Sequence, residues 1–272
     1  MSQLSLNPRK IVVLSGAGIS APSGLATFRD AGGIWSKYRI EDVATPEAWA
    51  KNPGLVLEFY NARRAQAAAA LPNDGHRAIA ALESRFEVVV ITQNVDDLHE
   101  RGGSNRVIHL HGELSKARST IDPLLIQEIG GAPIRLGDRC RRGGQLRPHI
   151  VWFGEEIHRF GEAVEEIRSA GRVLVVGTSL AVFPAAGLVK FARADAEKVL
   201  VDLDASNAPS GFRPLRGSAD KVLPALANQW LGDPAQSSTR SDIEFQQSQQ
   251  KPQALPARET NGESVGRRGT EA

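Results

Sequence analysis

The sequence predicts an α/β fold: a parallel sheet flanked by helices, with a smaller inserted domain. Three observations carry that expectation. Five short apolar runs, at 11–14, 88–91, 106–108, 173–176 and 198–201, read as strands buried on both faces. Helical stretches separate them. Each run ends in glycine or polar residues, at the end where open α/β sheets bind their ligands.

The first run leads into Gly16-Ala17-Gly18-Ile19-Ser20-Ala21, a G-x-G-x-x-G/A pattern. Small residues there let backbone N–H groups and a helix N-terminus approach a pyrophosphate. The same pattern also suits a tight strand-to-helix turn with no ligand. Its continuation favours a Rossmann-like nucleotide crevice. A Pro22-Ser23-Gly24 turn leads to Phe28, Arg29 and Asp30 and closes at Gly33-Ile34-Trp35, none of which helix packing needs. Gln93-Asn94 follows the second run, His111 the third, Gly177 the fourth and Asp202-Leu203-Asp204 the fifth.

Two segments interrupt the alternation. Residues 39–74 contain a helix-favouring stretch at 53–70, stopped by Pro72-Asn73-Asp74-Gly75. Residues 113–146 carry a short helical pattern at 123–129, ended by Gly130-Gly131. The expected division is a nucleotide-binding domain at 1–38, 75–112 and 147–231, and a small domain at 39–74 and 113–146. From residue 232 to 272 Ser, Gln, Thr, Pro and Glu dominate, a composition expected to remain disordered.

Composition narrows the class. The 272 residues are 41% hydrophobic and 24% charged, as in ordinary globular proteins. A formal charge of +2 gives no reason to expect nucleic acid or an anionic membrane as an obligatory partner. One cysteine, Cys140, excludes an intramolecular disulfide framework and fits a reducing compartment. With no apolar leader and no 18-residue apolar run, a cytoplasmic location is the expectation.

The extended glycine motif resembles that of the sirtuins, the NAD-dependent protein deacylases. Four further segments agree in order: Gln93-Asn94-Val95-Asp96, His109-Leu110-His111-Gly112, Val151-Trp152-Phe153-Gly154-Glu155 and Gly177-Thr178-Ser179. The resemblance implies that His111 is the general base acting on a ribose hydroxyl of NAD, and that His109 is structural. It assigns NAD contacts to Gly16, Ala17, Gly18, Ile19, Ser20, Ala21, Phe28, Arg29 and Trp35. Gln93, Asn94, Val95 and Asp96 join them on the nicotinamide and ribose side, and Gly177, Thr178 and Ser179 at phosphate or ribose. Asp202, Leu203 and Asp204 stand where the family usually has Asn, a hydrophobic residue and Glu, with Ala219 as a last adenine-side contact. Asp97 and His99 have no such role and are expected at the surface or as caps.

On the substrate side, the resemblance implies that Val151, Trp152, Phe153 and Gly154 line the acyl-lysine tunnel and pair with the peptide as an added strand. Tyr60 and Arg63, at i and i+3, share one helical face. In class III sirtuins the corresponding pair recognises acyl groups ending in a carboxylate, such as succinyl and malonyl. Arg64 is expected to be solvated.

Sirtuins of this type usually hold one structural zinc on four thiolates. Here residues 116–122 contain no cysteine, and the second pair is reduced to Cys140-Arg141-Arg142-Gly143. One thiolate does not make such a site, and Asp122, Asp138 and His149 stand at unmatched spacing. Zinc is therefore not expected. Leu124, Leu125, Ile129, Ile134 and Leu136 offer a small apolar core in its place, a zinc-ribbon remnant. The implied function is an NAD-dependent protein-lysine deacylase, acting as deacetylase and as desuccinylase or demalonylase. It would pass the acyl group of protein or peptide substrates to ADP-ribose and release nicotinamide. A mono-ADP-ribosyltransferase and a non-catalytic NAD or ADP-ribose sensor remain the alternatives.

Overall fold

The structure is a computed structural model and describes residues 6–27, 38–206 and 208–232. The region from 233 onward, including almost all of the expected tail, lies outside the described residues.

A six-stranded, wholly parallel sheet organises the chain. Its strands are β1 (Asn7–Ser15), β2 (Glu87–Thr92), β3 (Val107–His109), β7 (Ala170–Val176), β8 (Glu197–Asp202) and β9 (Arg213–Arg216). They lie in the order β3-β2-β1-β7-β8-β9, so the order reverses between β1 and β7, the point at which doubly wound sheets bind nucleotides. Four of the five apolar runs fall within β1, β2, β7 and β8, and the third, 106–108, overlaps β3 except for Arg106. The sixth, β9, is mostly exposed and carries Arg-Pro-Leu-Arg, so no apolar run announces it.

Alternation along β1 builds two cores. Val12 and Leu14 face one cluster with Val89, Ile91 and Val173, covered by α6 (Phe160–Ser169) through Ala163 and Ile167. Ile11 and Val13 face the other with Val88, Val90 and Leu174. That second face is covered by α4 (Asp74–Ala81) through Ile79, and by α7 (Ala219–Leu231) through Leu223 and Leu226. At the N-terminal end of the strands Lys10 and Arg106 both pair with buried Glu166, which ties α6 to the sheet.

The second unit of structure combines α1 (Ile40–Val43), α2 (Pro46–Lys51) and α3 (Pro53–Ala69) with a three-stranded antiparallel sheet. That sheet has the order β5 (Ile126–Glu128), β4 (Gly112–Ser119), β6 (Leu146–Ile150). A short helix α5 (Leu98–Arg101) follows the loop after β2. The expected helix at 53–70 is α3, started by Pro53 in its first turn and by Asn52, whose Oδ1 accepts from Leu55 N at 3.1 Å.

Two expectations for this unit need correction. Residues 123–129 are not helical: 126–128 form edge strand β5, with Lys116 opposite Glu128 and Arg118 opposite Ile126. The replacement core is also different. Ile134 is buried with Cys140, Leu57, Ala117 and Leu146, while Leu125 and Ile129 pack only partly against them. Leu124 and Leu136 are 87% and 61% exposed and contribute nothing to it. The core is built from α3 and both long strands, which a local reading of 121–136 could not supply.

Candidate functional site

At the C-terminal ends of β1, β2 and β7 the loops enclose a cleft of about 860 Å³. The glycine loop shapes it through close approach. Gly16 N donates to Val176 O at 3.0 Å and Gly18 N to Gly177 O at 2.8 Å. A Cβ on Gly18 would stand 2.7 Å from Gly177 Cα, and one on Gly16 2.7 Å from Thr178 Cβ. Gly177 has φ +59, and a Cβ there would meet Ile19 N at 2.3 Å. The small residues thus let two loops pass backbone against backbone at the switch point. The expected helix N-terminus is absent from this loop: the chain makes two 3-10 turns, 17–19 and 21–23, ended by Gly24 at φ +87.

The loop after β2 brings polar groups to the same cleft. Gln93 Nε2 donates to Thr178 Oγ1 at 3.1 Å, and Asn94 Nδ2 to Ser20 Oγ at 3.1 Å. Asp96 is buried; its burial pushes the carboxyl up, against the Leu98 N–H and the Ser20 side chain that pull it down. Val95 lines the cleft and its carbonyl accepts from Leu114 N at 2.8 Å.

His111 sits where this loop meets β4. Its Nδ1 lies 3.0 Å from the Gln93 carbonyl, which can only accept, so Nδ1 carries the proton and Nε2 is the bare nitrogen. Burial lowers its pKa, outweighing the Gln93 bond that raises it. The neutral ring is a ready proton acceptor at the cleft wall. His109 behaves oppositely. It stands 3.1 Å from Asn94 O and 2.8 Å from Glu100 Oε1, and Glu100 raises its pKa although burial opposes the charge. Both its ring nitrogens are engaged, and it stands outside the cleft lining.

On the opposite wall α3 contributes Tyr60 and Arg63. Burial pushes the Tyr60 phenol up to about 12, so it is a hydrogen-bond donor at any physiological pH. Burial lowers the Arg63 pKa, while Tyr60 and Asp96 favour its charge. Val151, Trp152, Phe153 and Gly154 complete the wall. Their first three N–H groups are already engaged, with His111 O, the Glu155 carboxylate and Ala44 O respectively. A peptide strand added here therefore has to use other groups than these donors.

Several assignments change. Ile19 is buried in the core beneath the loop rather than facing the cleft. Asp202, Leu203 and Ala219 line it, but Asp204 does not: its carboxylate accepts from Ser206 N and Oγ, forming a local turn. His99, expected at the surface or as a cap, is fully buried, with Nε2 2.9 Å from Ser15 Oγ. Phe28, Arg29 and Trp35 lie outside the described residues. Phe183, 68% exposed on the cleft rim beside Val182, escaped the sequence reading because no motif marks it.

Comparison with known proteins follows the same residues. The model of the Sir2 family matches residues 16–184. This chain belongs to the Sir2 family, the sirtuins. It is 50% identical over 199 residues to an NAD-dependent protein deacylase of Bacteroides thetaiotaomicron, covering 71% of this chain and 85% of that one. A Helicobacter pylori (strain J99) protein of the same description is 50% identical over 200 residues, covering 74% and 85%. Among solved structures, a mutant Sir2 homologue in complex with ADP-ribose superposes with a TM-score of 0.77 at 38% identity, covering 83% and 94%. A Sir2 homologue bound to a myristoylated histone peptide gives 0.63 at 31% identity, covering 87% and 93%.

The sirtuin zinc site does not fit the residues present. Cys140 Sγ donates to Ser119 Oγ at 3.2 Å inside the apolar cluster. Asp122 is paired with Arg142, and Asp138 accepts from Arg135 N. Among the described residues, the group able to hold a metal is Glu100, His109 and Glu113, which excludes Cys140 and has Lys116 on Glu113.

Proposed function

We propose that this sirtuin is an NAD-dependent protein-lysine deacylase that removes acetyl and also succinyl and malonyl groups. The observation that carries this is His111: a neutral imidazole on the cleft wall, its Nδ1 proton committed to the Gln93 carbonyl and its Nε2 bare. NAD supplies the electrophilic ribose carbon, with nicotinamide as leaving group, and the acyl-lysine carbonyl oxygen is the nucleophile. Water is consumed, and free lysine, nicotinamide and O-acyl-ADP-ribose leave.

The chain's own residues have separable tasks. Nε2 of His111 takes the proton of the ribose hydroxyl, which turns that hydroxyl into a nucleophile toward the acyl group. Gln93, Asn94 and Asp96 orient the nicotinamide end, while Gly16 to Ala21, Gly177, Thr178 and Ser179 receive the phosphates and ribose. Asp202, Leu203 and Ala219 face the adenosine end. Arg63 and the neutral phenol of Tyr60 bind the carboxylate of a succinyl or malonyl group as a fork and a single donor. Val151 to Gly154 border the lysine. The two sheets support a nucleotide-binding domain and a small domain, and the lone cysteine suits a cytoplasmic enzyme. The deacylase names of the relatives and the acylated peptide held by a solved Sir2 structure support the substrate class.

Incubation with NAD and acetyl-, succinyl- and malonyl-lysine peptides, read by mass spectrometry, tests the reading. Acyl-ADP-ribose is expected with every active peptide. ADP-ribosylated protein without acyl transfer would point to a mono-ADP-ribosyltransferase, and bound but unconsumed NAD to a sensor.

A further inference from the structure

Arg64 is the largest fully buried side chain in the molecule among the described residues, 1% exposed, where the sequence led us to expect solvent. Its Nε donates to the Leu114 carbonyl at 2.5 Å and its Nη1 to Asn61 Oδ1 at 2.6 Å. Its partners are neutral, and Nη2 has no hydrogen-bond partner among the described residues. Burial lowers its pKa to about 10, so it remains a cation at neutral pH. A buried guanidinium without a carboxylate is costly, and an apolar side chain of similar volume would pack the same space more favourably. Stability alone does not account for it.

What Arg64 joins is informative. Asn61 also clasps the loop at Ile134, donating from Nδ2 to Ile134 O at 2.8 Å and accepting from Ile134 N at 2.9 Å. Leu114, in turn, donates its N–H to the Val95 carbonyl at 2.8 Å. A continuous path therefore runs from the 134 loop through Asn61 and Arg64 to Leu114 and on to Val95. Leu114 and Val95 line the cleft, and so do Arg63, adjacent to Arg64, and Tyr60, one turn away. Arg64 spans the gap between the helix that carries the acyl-recognition pair and the strand that follows His111.

We infer that Arg64 is a positioning residue for acyl selectivity, setting α3 against β4 so that Arg63 and Tyr60 meet an acyl carboxylate in register. This rests on the proposed role of Tyr60 and Arg63. Bidentate capture of a carboxylate tolerates little displacement, whereas an acetyl group presents no charge to that end of the pocket. A shift of about 1 Å can cost up to about a hundredfold where geometry is exacting. Loosening the Arg64 link thus penalises acidic acyl groups selectively. A residue that merely held the fold would lower both activities together.

The test compares kcat and KM for succinyl- and acetyl-lysine peptides in the wild type, R63M, R64M, R64K and N61A, with melting temperature measured on each. R64M is expected to raise the succinyl-peptide KM by about tenfold while acetyl-peptide kcat/KM changes by less than about threefold. R64K, which keeps the charge and one donor, should recover part of the difference. N61A, which leaves Arg64 in place but removes its second anchor, should lose selectivity in the same direction. Where R64M fails to fold, R64K and N61A decide the matter alone. Equal losses on both substrates, or an unchanged ratio in R64K and N61A, would overturn the inference. If R63M loses desuccinylation selectively while the Arg64 and Asn61 variants do not, only the positioning role fails. If the wild type shows no desuccinylation that depends on Arg63, the acyl-pocket reading fails and takes this inference with it.

Discussion

Acid should destabilise this protein through a buried histidine behind the nucleotide loop. His76 is fully buried at the start of α4, where its Nδ1 accepts from Asn73 N as part of a capping box. Its ring packs edge-on to that of His99 at 5.0 Å. Burial, with Arg77 adding to it and Glu100 opposing, lowers its pKa from 6.5 to about 4. The folded state therefore holds His76 neutral, while the unfolded chain takes up a proton near 6.5. Stability is complete above 6.5 and falls as pH drops toward 4. At pH 5 the linkage amounts to about 2 kcal/mol, approaching about 3.4 kcal/mol below pH 4. His99, whose pKa burial also lowers, acts in the same direction, and Asp96, raised by burial, acts in the opposite one. Comparison with His76→Gln isolates the first term, since glutamine can still accept from Asn73 N. Urea unfolding at pH 7.5 and pH 5.0 should show the wild type losing about 2 kcal/mol more than the variant over that interval. Identical pH dependence in the two proteins would refute the reasoning. The loss also bears on function, because Asn73 Nδ2 holds Ile19 O and Ser23 Oγ of the nucleotide loop.

Three further outcomes are expected. His111→Ala should lower kcat by about 10²–10⁴-fold with NAD affinity by calorimetry largely retained, and full turnover in the variant would remove His111 as the base. Gly18→Ala drives a Cβ to 2.7 Å from Gly177 Cα, backbone against backbone. It should cost about 1–3 kcal/mol of stability and raise the KM for NAD, whereas a wild-type melting curve would mean the loops part easily. The purified protein should contain no stoichiometric zinc and keep its melting temperature in chelator. About one zinc per chain by elemental analysis, with unfolding on chelation, would contradict the ligand arithmetic at Cys140.

The parts of this protein that the sequence determined by itself are those written in local chemistry. Ile11 to Leu14 and Val173 to Val176 declare buried strands because both their faces are apolar, and Gly16, Gly18 and Gly177 admit a backbone approach that any side chain would block. His111 was legible because it follows a strand end within a recognisable motif, and the Tyr60–Arg63 face because three residues of helix bring the two together. Tertiary structure decided the rest wherever the partner is distant in the chain. Residues 123–129 satisfy a helical period as well as a strand, and pairing with Lys116 to Arg118 made 126–128 a strand. Leu124 and Leu136 looked like core, but the core they were meant to build was filled by Leu57, Ala117 and Leu146. Arg64 and His99 have side chains that normally seek water. The carbonyl of Leu114, fifty residues on, beside the local Asn61 Oδ1, and the hydroxyl of Ser15, eighty-four residues back, made their burial tolerable. A buried polar group is stable only if its acceptor is already waiting, and no local pattern records where the folded chain will put one.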